Sequence, residues 1–272
     1  GLGLAGCSGN KESKPAGSDA GSAKSSSKNP AVELQIFAAN SLEKALPEVQ
    51  ELYTDQTGTT FADTQFKASG DLVEQMKAGA AVDVLITASK GTMDDAETAE
   101  LVDTDTREDM FVNDLVIIRT EGSDTKVEAI ADVVNLDGKI AIGDAKTVPA
   151  GKYANQALAS VGLYTGTEGD DGEYAPEIAD KVALADKVGT AAAYVSTGDC
   201  VAGFVYSSDI YRYDGIEEAF VCPEDSHKPI VYPGAVAESS EHADEAKAFI
   251  DFCLSNKKAQ KIWAKYGFEL SE

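Results

Sequence analysis

With 272 residues and 43% hydrophobic content, the chain can bury a substantial core as one large domain or two ordinary ones. Its 47 acidic against 23 basic residues give a formal net charge of −24, which repels polyanions over a screening length of ~8 Å and excludes nucleic acid as a partner class. No run reaches the ~18 to 20 consecutive apolar residues of a membrane span, so any membrane attachment is covalent or borrowed.

The first seven residues, Gly1-Leu2-Gly3-Leu4-Ala5-Gly6-Cys7, are small and apolar up to a cysteine and then give way to polar sequence. Leu4-Ala5-Gly6-Cys7 resembles a bacterial lipobox, which implies that residues 1–6 are a signal-peptide remnant and that the Cys7 thiol carries the lipid. Residues 1–6 also spell G-x-G-x-x-G, but a dinucleotide fingerprint needs a strand before it and a helix after it. Ser8 to Pro30 is rich in Ser, Gly, Ala and Lys, the composition of a flexible tether with a reach of roughly 25 Å. Residues 7–30 are therefore expected to be a lipidated cysteine and tether at the outer face of the cell membrane; the alternative is an incidental cysteine in a disordered terminus.

From Val32 onward, strand and helix patterns alternate. Leu34–Ala38 reads as a strand, and Leu42, Ala45, Leu46, Val49, Leu52 and Tyr53 then recur at helical spacing. Pro47 inside that helix predicts a kink. A second helix carries Leu72, Val73 and Met76, ends near Gly79 and feeds the strand Val82–Thr87. Leu115–Ile118, Ile140–Ile142 and Val201–Tyr206 are further buried strands, and the order predicts an α/β fold with a mainly parallel sheet. Gly162–Tyr174 is acidic and Gly-rich, and reads as a surface loop or insertion. Ala246, Phe249, Ile250, Cys253 and Leu254 share one helix face, with Trp263 and Tyr266 continuing the C-terminal helix into the core.

Catalytic patterns are scarce. His227 and His242 are the chain's two histidines and neither has a metal-ligand spacing; no G-x-S-x-G elbow occurs. In an exported protein Cys200 and Cys222 can form a disulfide that leaves Cys253 free; three reduced core cysteines are the alternative. More informative are three junctions: Ala38-Ala39-Asn40-Ser41, Ala68-Ser69-Gly70 and Thr147-Val148-Pro149-Ala150-Gly151. Each puts the free N–H groups and positive dipole end of a helix just after a loop, which is an anion site without cations. Such a site reconciles an anionic ligand with the charge of −24. Taken singly, Ser41 and Ser69 read as plain N-caps, each contributing about 1 kcal/mol.

Together, Phe37–Leu42, Ser69–Leu72 with Gln75, Gly79–Val84, Ile142–Asp144 with Val148–Ala154, Gly203–Tyr206 with Asp209, and Ala259-Gln260 with Tyr266-Gly267-Phe268 form an ordered series. It resembles the molybdate-binding proteins of bacterial ABC importers, from Val32 to Phe268. The resemblance implies a two-lobed, type II periplasmic-binding-protein fold, each lobe a mainly parallel sheet flanked by helices. Lobe 1 would be residues 31–113 plus 234–272 and lobe 2 residues 114–233, closing about crossover strands near Asn113–Val116 and Pro229–Pro233. It also implies a monomeric receptor, not an enzyme, that needs no cofactor and hands molybdate or tungstate to an importer permease.

The resemblance further implies that the anion is held by neutral hydrogen bonds, with no protein atom coordinating the metal. Ser41 and Ser69 would donate hydroxyl and backbone N–H, Ala150 and Val188 backbone N–H, and Tyr206 its phenol. Asn40 stands where alanine is common in that family, so an added hydrogen bond or a crowded cleft is expected. The acidic stretch around Gly169 lengthens the gap from Ala150 to Val188. Two alternatives remain. One is a receptor for sulfate or phosphate. The other is an α/β enzyme acting on an anionic substrate, for which Asp144 and Asp209 are the nearby candidate bases, both read here as structural.

Overall fold

The computed structural model describes residues 31–271; the lipobox with Cys7, and the tether up to residue 30, lie outside the described residues. The expected first strand is two, β1 (Glu33–Leu34) and β2 (Ile36–Ala39), and β2 runs into a 3-10 turn at Asn40–Leu42 before α1 (Ala45–Thr57). Because α1 begins at Ala45, Pro47 falls in its first turn. An N–H there has no helical acceptor, so the kink expected from Pro47 has no cause.

The chain continues through β3 (Thr60–Phe61), β4 (Gln65–Lys67), α2 (Ser69–Lys77), β5 (Val84–Ile86), α3 (Lys90–Thr98), β6 (Glu108–Asn113) and β7 (Leu115–Thr120). Next come β8 (Ile140–Gly143), α4 (Pro149–Ser160), α5 (Pro176–Ala179), β9 (Val182–Ala185), α6 (Val188–Ser196), β10 (Ala202–Tyr206) and β11 (Ile216–Val221). The last elements are β12 (Ile230–Val236), α7 (Ala243–Ser255), α8 (Lys257–Lys265) and β13 (Glu269–Leu270).

A six-stranded sheet has the order β13-β6-β12-β5-β2-β4 and a five-stranded sheet the order β11-β7-β10-β8-β9, with β1 and β3 forming a separate two-stranded parallel sheet, so each lobe is an α/β layer, as expected. The sheets are mixed rather than mainly parallel. Parallel pairing links β4, β2 and β5 in one lobe and β10, β8 and β9 in the other, while β6, β7, β11, β12 and β13 pair antiparallel. The antiparallel strands carry the chain between lobes: it leaves one sheet between Asn113 and Leu115 and has returned by Ile230, which pairs with Asn113. Parallel strands need helical crossovers, and these bring the N-termini of α2, α4 and α6 to one edge of each sheet.

The C-terminal helix is interrupted at Asn256, whose side chain caps α8 by accepting the N–H groups of Lys258 and Ala259, both at 3.0 Å. Trp263 is buried against Phe111 and Phe268 and donates its indole N–H to the Cys253 carbonyl at 3.0 Å; Tyr266 lies just past the end of α8. Cys200, Cys222 and Cys253 are buried and unpaired, so the disulfide considered for Cys200 and Cys222 is not formed. The 162–174 segment packs back on α4, where Asn155 and Gln156 donate to the carbonyls of Gly169 and Glu168 at 2.7 and 2.9 Å. The insertion is absorbed there and leaves the step from β9 into α6 short.

Candidate functional site

Ser41, Ser69, Ala150, Val188 and Tyr206 line one cavity between the lobes, with Ala39, Asn40, Lys67, Ala68, Ala88, Val148, Pro149 and Lys187. Its volume is about 20 Å³, larger than the ~10–15 Å³ that one water requires on the same measure. No carboxylate among the described residues lines it.

Ser69, Ala150 and Val188 occupy the first or second positions of α2, α4 and α6. Their backbone N–H groups have no acceptor one turn back within the helix, and all three dipoles bring positive ends to the cavity. Pro149 at the start of α4 fits its place, since proline is pre-set for a helical φ. Gly151 lets that turn seat on the end of β8, where a Cβ would overlap the Gly143 carbonyl.

Neither serine is an N-cap. Ala39 and Ala68 hold the cap positions, and neither makes a side-chain cap bond. Ser69 Oγ instead accepts the Ala88 N–H at 3.0 Å, and Ser41 Oγ lies 2.7 Å from Tyr232 Oη. The Ser69 proton therefore has no acceptor among the described residues. Ser41 also differs from the expected geometry, because a 3-10 turn and not an α-helix begins there.

Tyr206, at the end of β10, is 2% exposed, and its buried hydroxyl has no hydrogen-bond partner among the described residues. An unsatisfied buried hydroxyl costs about 1–3 kcal/mol, so native proteins seldom keep one that does nothing. Burial above all, then neighbouring Tyr232, Tyr153 and Asp209, raises its pKa well above that of an ordinary phenol. A raised pKa preserves the proton, and with it the donor, as pH climbs.

Behind Tyr206, Asp209 is fully buried; it accepts the Tyr206 N–H at 2.8 Å and the Arg212 guanidinium at 2.5 Å. Arg212 also reaches Glu43 of the other lobe at 3.1 Å. Asp144 accepts the Lys146 N–H at 3.0 Å and so shapes the loop leading to α4. Two further contacts hold the lobes together beside the cavity: Gly70 N–H to the Thr147 carbonyl and Tyr153 O–H to the Ala88 carbonyl, both 3.4 Å. Asn40 lines the cavity and is 8% exposed, and its amide makes no hydrogen bond among the described residues.

Two features are absent from the sequence reading. Lys67 and Lys187 approach the cavity from opposite lobes, and neither has an ion-pair partner among the described residues. Tyr232 of β12 and Asn113 of β6 stand behind Ser41, linked by a 3.3 Å hydrogen bond. No motif flags either pair, because lysines scattered through an acidic chain and polar groups behind a binding serine carry no local pattern.

The arrangement presents hydroxyl and backbone N–H donors, with two lysines, and no carboxylate. It can hold a small, fully deprotonated oxyanion. A model of the family described as bacterial extracellular solute-binding protein matches residues 34–269. The chain is 33% identical over 242 residues to the molybdate-binding protein ModA of Escherichia coli, covering 87% of this chain and 89% of that one. It is 30% identical over 237 residues to the ModA of Haemophilus influenzae, covering 86% and 88%. Among solved structures, the periplasmic molybdate-binding protein of Azotobacter vinelandii shares the fold at a TM-score of 0.72 and 19% identity, over 88% of this chain and 100% of that one.

Proposed function

We propose, from the premise that the chain belongs to the bacterial extracellular solute-binding proteins and within them to the ModA family, that it captures molybdate, and tungstate as well, for an ABC importer. The family fixes the coarser statement: the protein is a substrate-binding component of an ABC importer, not an enzyme, and needs no cofactor. The observation that carries the finer reading is the unpartnered Tyr206 hydroxyl, buried among Ser41, Ser69 and the first turns of α4 and α6.

In this reading Ser41, Ser69 and Tyr206 donate O–H, and Ala150 and Val188 donate N–H, to one tetrahedral dianion. Each bond to a charged acceptor contributes about 1.5–3 kcal/mol, enough for five to hold the ion without a metal ligand. Donors aimed inward disfavour a protonated oxyanion, whose own O–H would meet another donor. Lys67 and Lys187 offset the repulsion of the −24 chain near the cleft. Lobe 1 and lobe 2 close on the ion, and a permease recognises the closed form. Because β12 from Ile230 onward pairs in the six-stranded sheet, residues 230–233 go with lobe 1 (31–113 plus 230–272), and lobe 2 ends at residue 229 instead of the expected 233.

Tyr206→Phe is the direct test of the donor. Affinity for molybdate should fall about 10- to 100-fold, with no loss of melting temperature in the absence of anion, since the hydroxyl has no partner among the described residues. In the unmodified protein affinity should hold at pH about 10.5, where an ordinary tyrosine is mostly ionised. Fold stability does decline there, because a phenol whose folded pKa is raised favours folding fully only below its unfolded value of about 10. The comparison is therefore made on protein shown to be folded at that pH. A several-fold loss of affinity at 10.5 that is seen in the unmodified protein and not in Tyr206→Phe would mean that Tyr206 titrates as an exposed phenol.

The lipobox carries the proposal that the protein is tethered through Cys7 to the outer face of the membrane. Cys7→Ser in the full-length precursor should move it from the membrane to the soluble fraction. Continued sedimentation with membranes would count against the tether.

A further inference from the structure

The polar groups behind Ser41 fix the direction of its hydroxyl. Asn113 ends β6 at the crossing between lobes, and its Oδ1 accepts from Asp114 N–H at 2.9 Å, Ser207 O–H at 2.8 Å and Ser208 N–H at 3.4 Å. Two of these donors are backbone N–H groups, which cannot accept, so the amide oxygen must face them. The Asn113 NH2 group therefore faces Ser208 Oγ at 2.8 Å and Tyr232 Oη at 3.3 Å.

An amide NH2 only donates, so Tyr232 Oη accepts at that contact and its proton goes to its other partner, Ser41 Oγ, at 2.7 Å. Tyr232 is fully buried. Ser41 Oγ is then an acceptor toward Tyr232, and its own proton, without another acceptor among the described residues, is left for the cavity. Ser207 and Ser208 directly follow Tyr206, so one amide joins the hinge, the Tyr206 strand end and Ser41.

We propose that Asn113, acting through Tyr232, is a positioning and specificity-determining residue: it sets Ser41 as a donor to the bound anion and so biases the cavity toward fully deprotonated oxyanions. This rests on the reading that the cavity binds such an anion. The relay runs Asn113 N–H to Tyr232 Oη, Tyr232 O–H to Ser41 Oγ, and Ser41 O–H to the ligand.

Asn113→Asp tests the relay by reversing it. The side chain keeps its shape and its three donors, and the hydroxyls of Ser208 and Tyr232 can turn to donate to the new carboxylate. Tyr232 Oη is then free to accept the Ser41 proton, which leaves Ser41 lone pairs facing the anion. Titration with molybdate should show a loss of about 10- to 100-fold in Asn113→Asp. Tyr232→Phe, which frees Ser41 without reversing it, should lose only a few-fold.

The new charge also acts through space, so both variants are repeated in a Ser41→Ala background, with melting curves confirming folding. There Asn113→Asp should cost no more than a few-fold, and Tyr232→Phe nothing further. A merely structural role for either residue would give the same loss with or without the Ser41 hydroxyl. Equal losses in the two backgrounds, or a Tyr232→Phe loss as large as that of Asn113→Asp, would overturn the relay alone. Failure of the unmodified protein to bind molybdate would overturn the reading of the site and the relay with it.

Discussion

Val188→Pro should lower molybdate affinity by 100-fold or more while leaving the fold in place. Val188 is the first residue of α6, the helical position at which proline is best tolerated, because its missing N–H has no helical acceptor. Lys187 before it is extended, at φ −160° and ψ 164°, the conformation that a residue preceding proline prefers. The substitution therefore removes a single N–H facing the cavity and puts ring carbons in its place. One charge-assisted donor is worth about 1.5–3 kcal/mol, or roughly 10- to 150-fold, and the intruding ring adds to the loss in a cavity of about 20 Å³. Calorimetric titration, with circular dichroism of the ligand-free protein as a control, checks this. A folded variant with unchanged affinity would remove Val188 from the site.

The largest effect on stability is expected at Asp209. Asp209→Ala strips the buried Arg212 guanidinium, whose side chain is 1% exposed, of its fully buried counter-charge. It also leaves the Tyr206 N–H without its acceptor. Breaking one side of a buried pair typically costs about 3–5 kcal/mol, since the surviving ion keeps its desolvation penalty. Glu43, 34% exposed and 3.1 Å from Arg212, is too solvated to compensate. For a protein of this size the melting temperature should drop by roughly 6–20 °C. Asp209→Asn, which retains an acceptor for Tyr206, should lose less. A change below about 1 kcal/mol in Asp209→Ala would mean that the pair is open to water. Asp209 also holds the Arg212 guanidinium that reaches Glu43 across the cleft, so its loss should also weaken lobe closure.

Much of this architecture was legible because strands buried on both faces are short apolar runs. Val84–Ile86, Leu115–Thr120 and Ile140–Gly143 fall where those runs lie. β6 was not read, since only Met110 and Phe111 are buried in it and acidic residues precede them. β12 was read as a crossover because Pro229 and Pro233 punctuate it. Pro233 is accommodated where the register against β6 shifts, which is how a proline enters a sheet.

At the site, the serines were found but their local roles were not: the cap reading failed because each hydroxyl is already committed to a group distant in sequence, Ala88 or Tyr232. Val188 seemed displaced by the acidic insertion around Gly169, but the loop folds back on Asn155 and Gln156 and leaves the start of α6 at the cavity. The places of Lys67, Lys187, Asn113 and Tyr232 at the site were not legible, for one reason. Their relevance lies in which lobe faces which, and no periodicity along the chain encodes that.

The central claim is that a donor-lined cavity between two lobes selects a fully deprotonated tetrahedral oxyanion of molybdate size. Isothermal titration of the purified protein with molybdate, tungstate, sulfate and phosphate measures it directly. The account predicts tight one-to-one binding of molybdate and tungstate, with sulfate and phosphate far weaker. Preferential binding of sulfate or phosphate, or heat from none of the four, would contradict it.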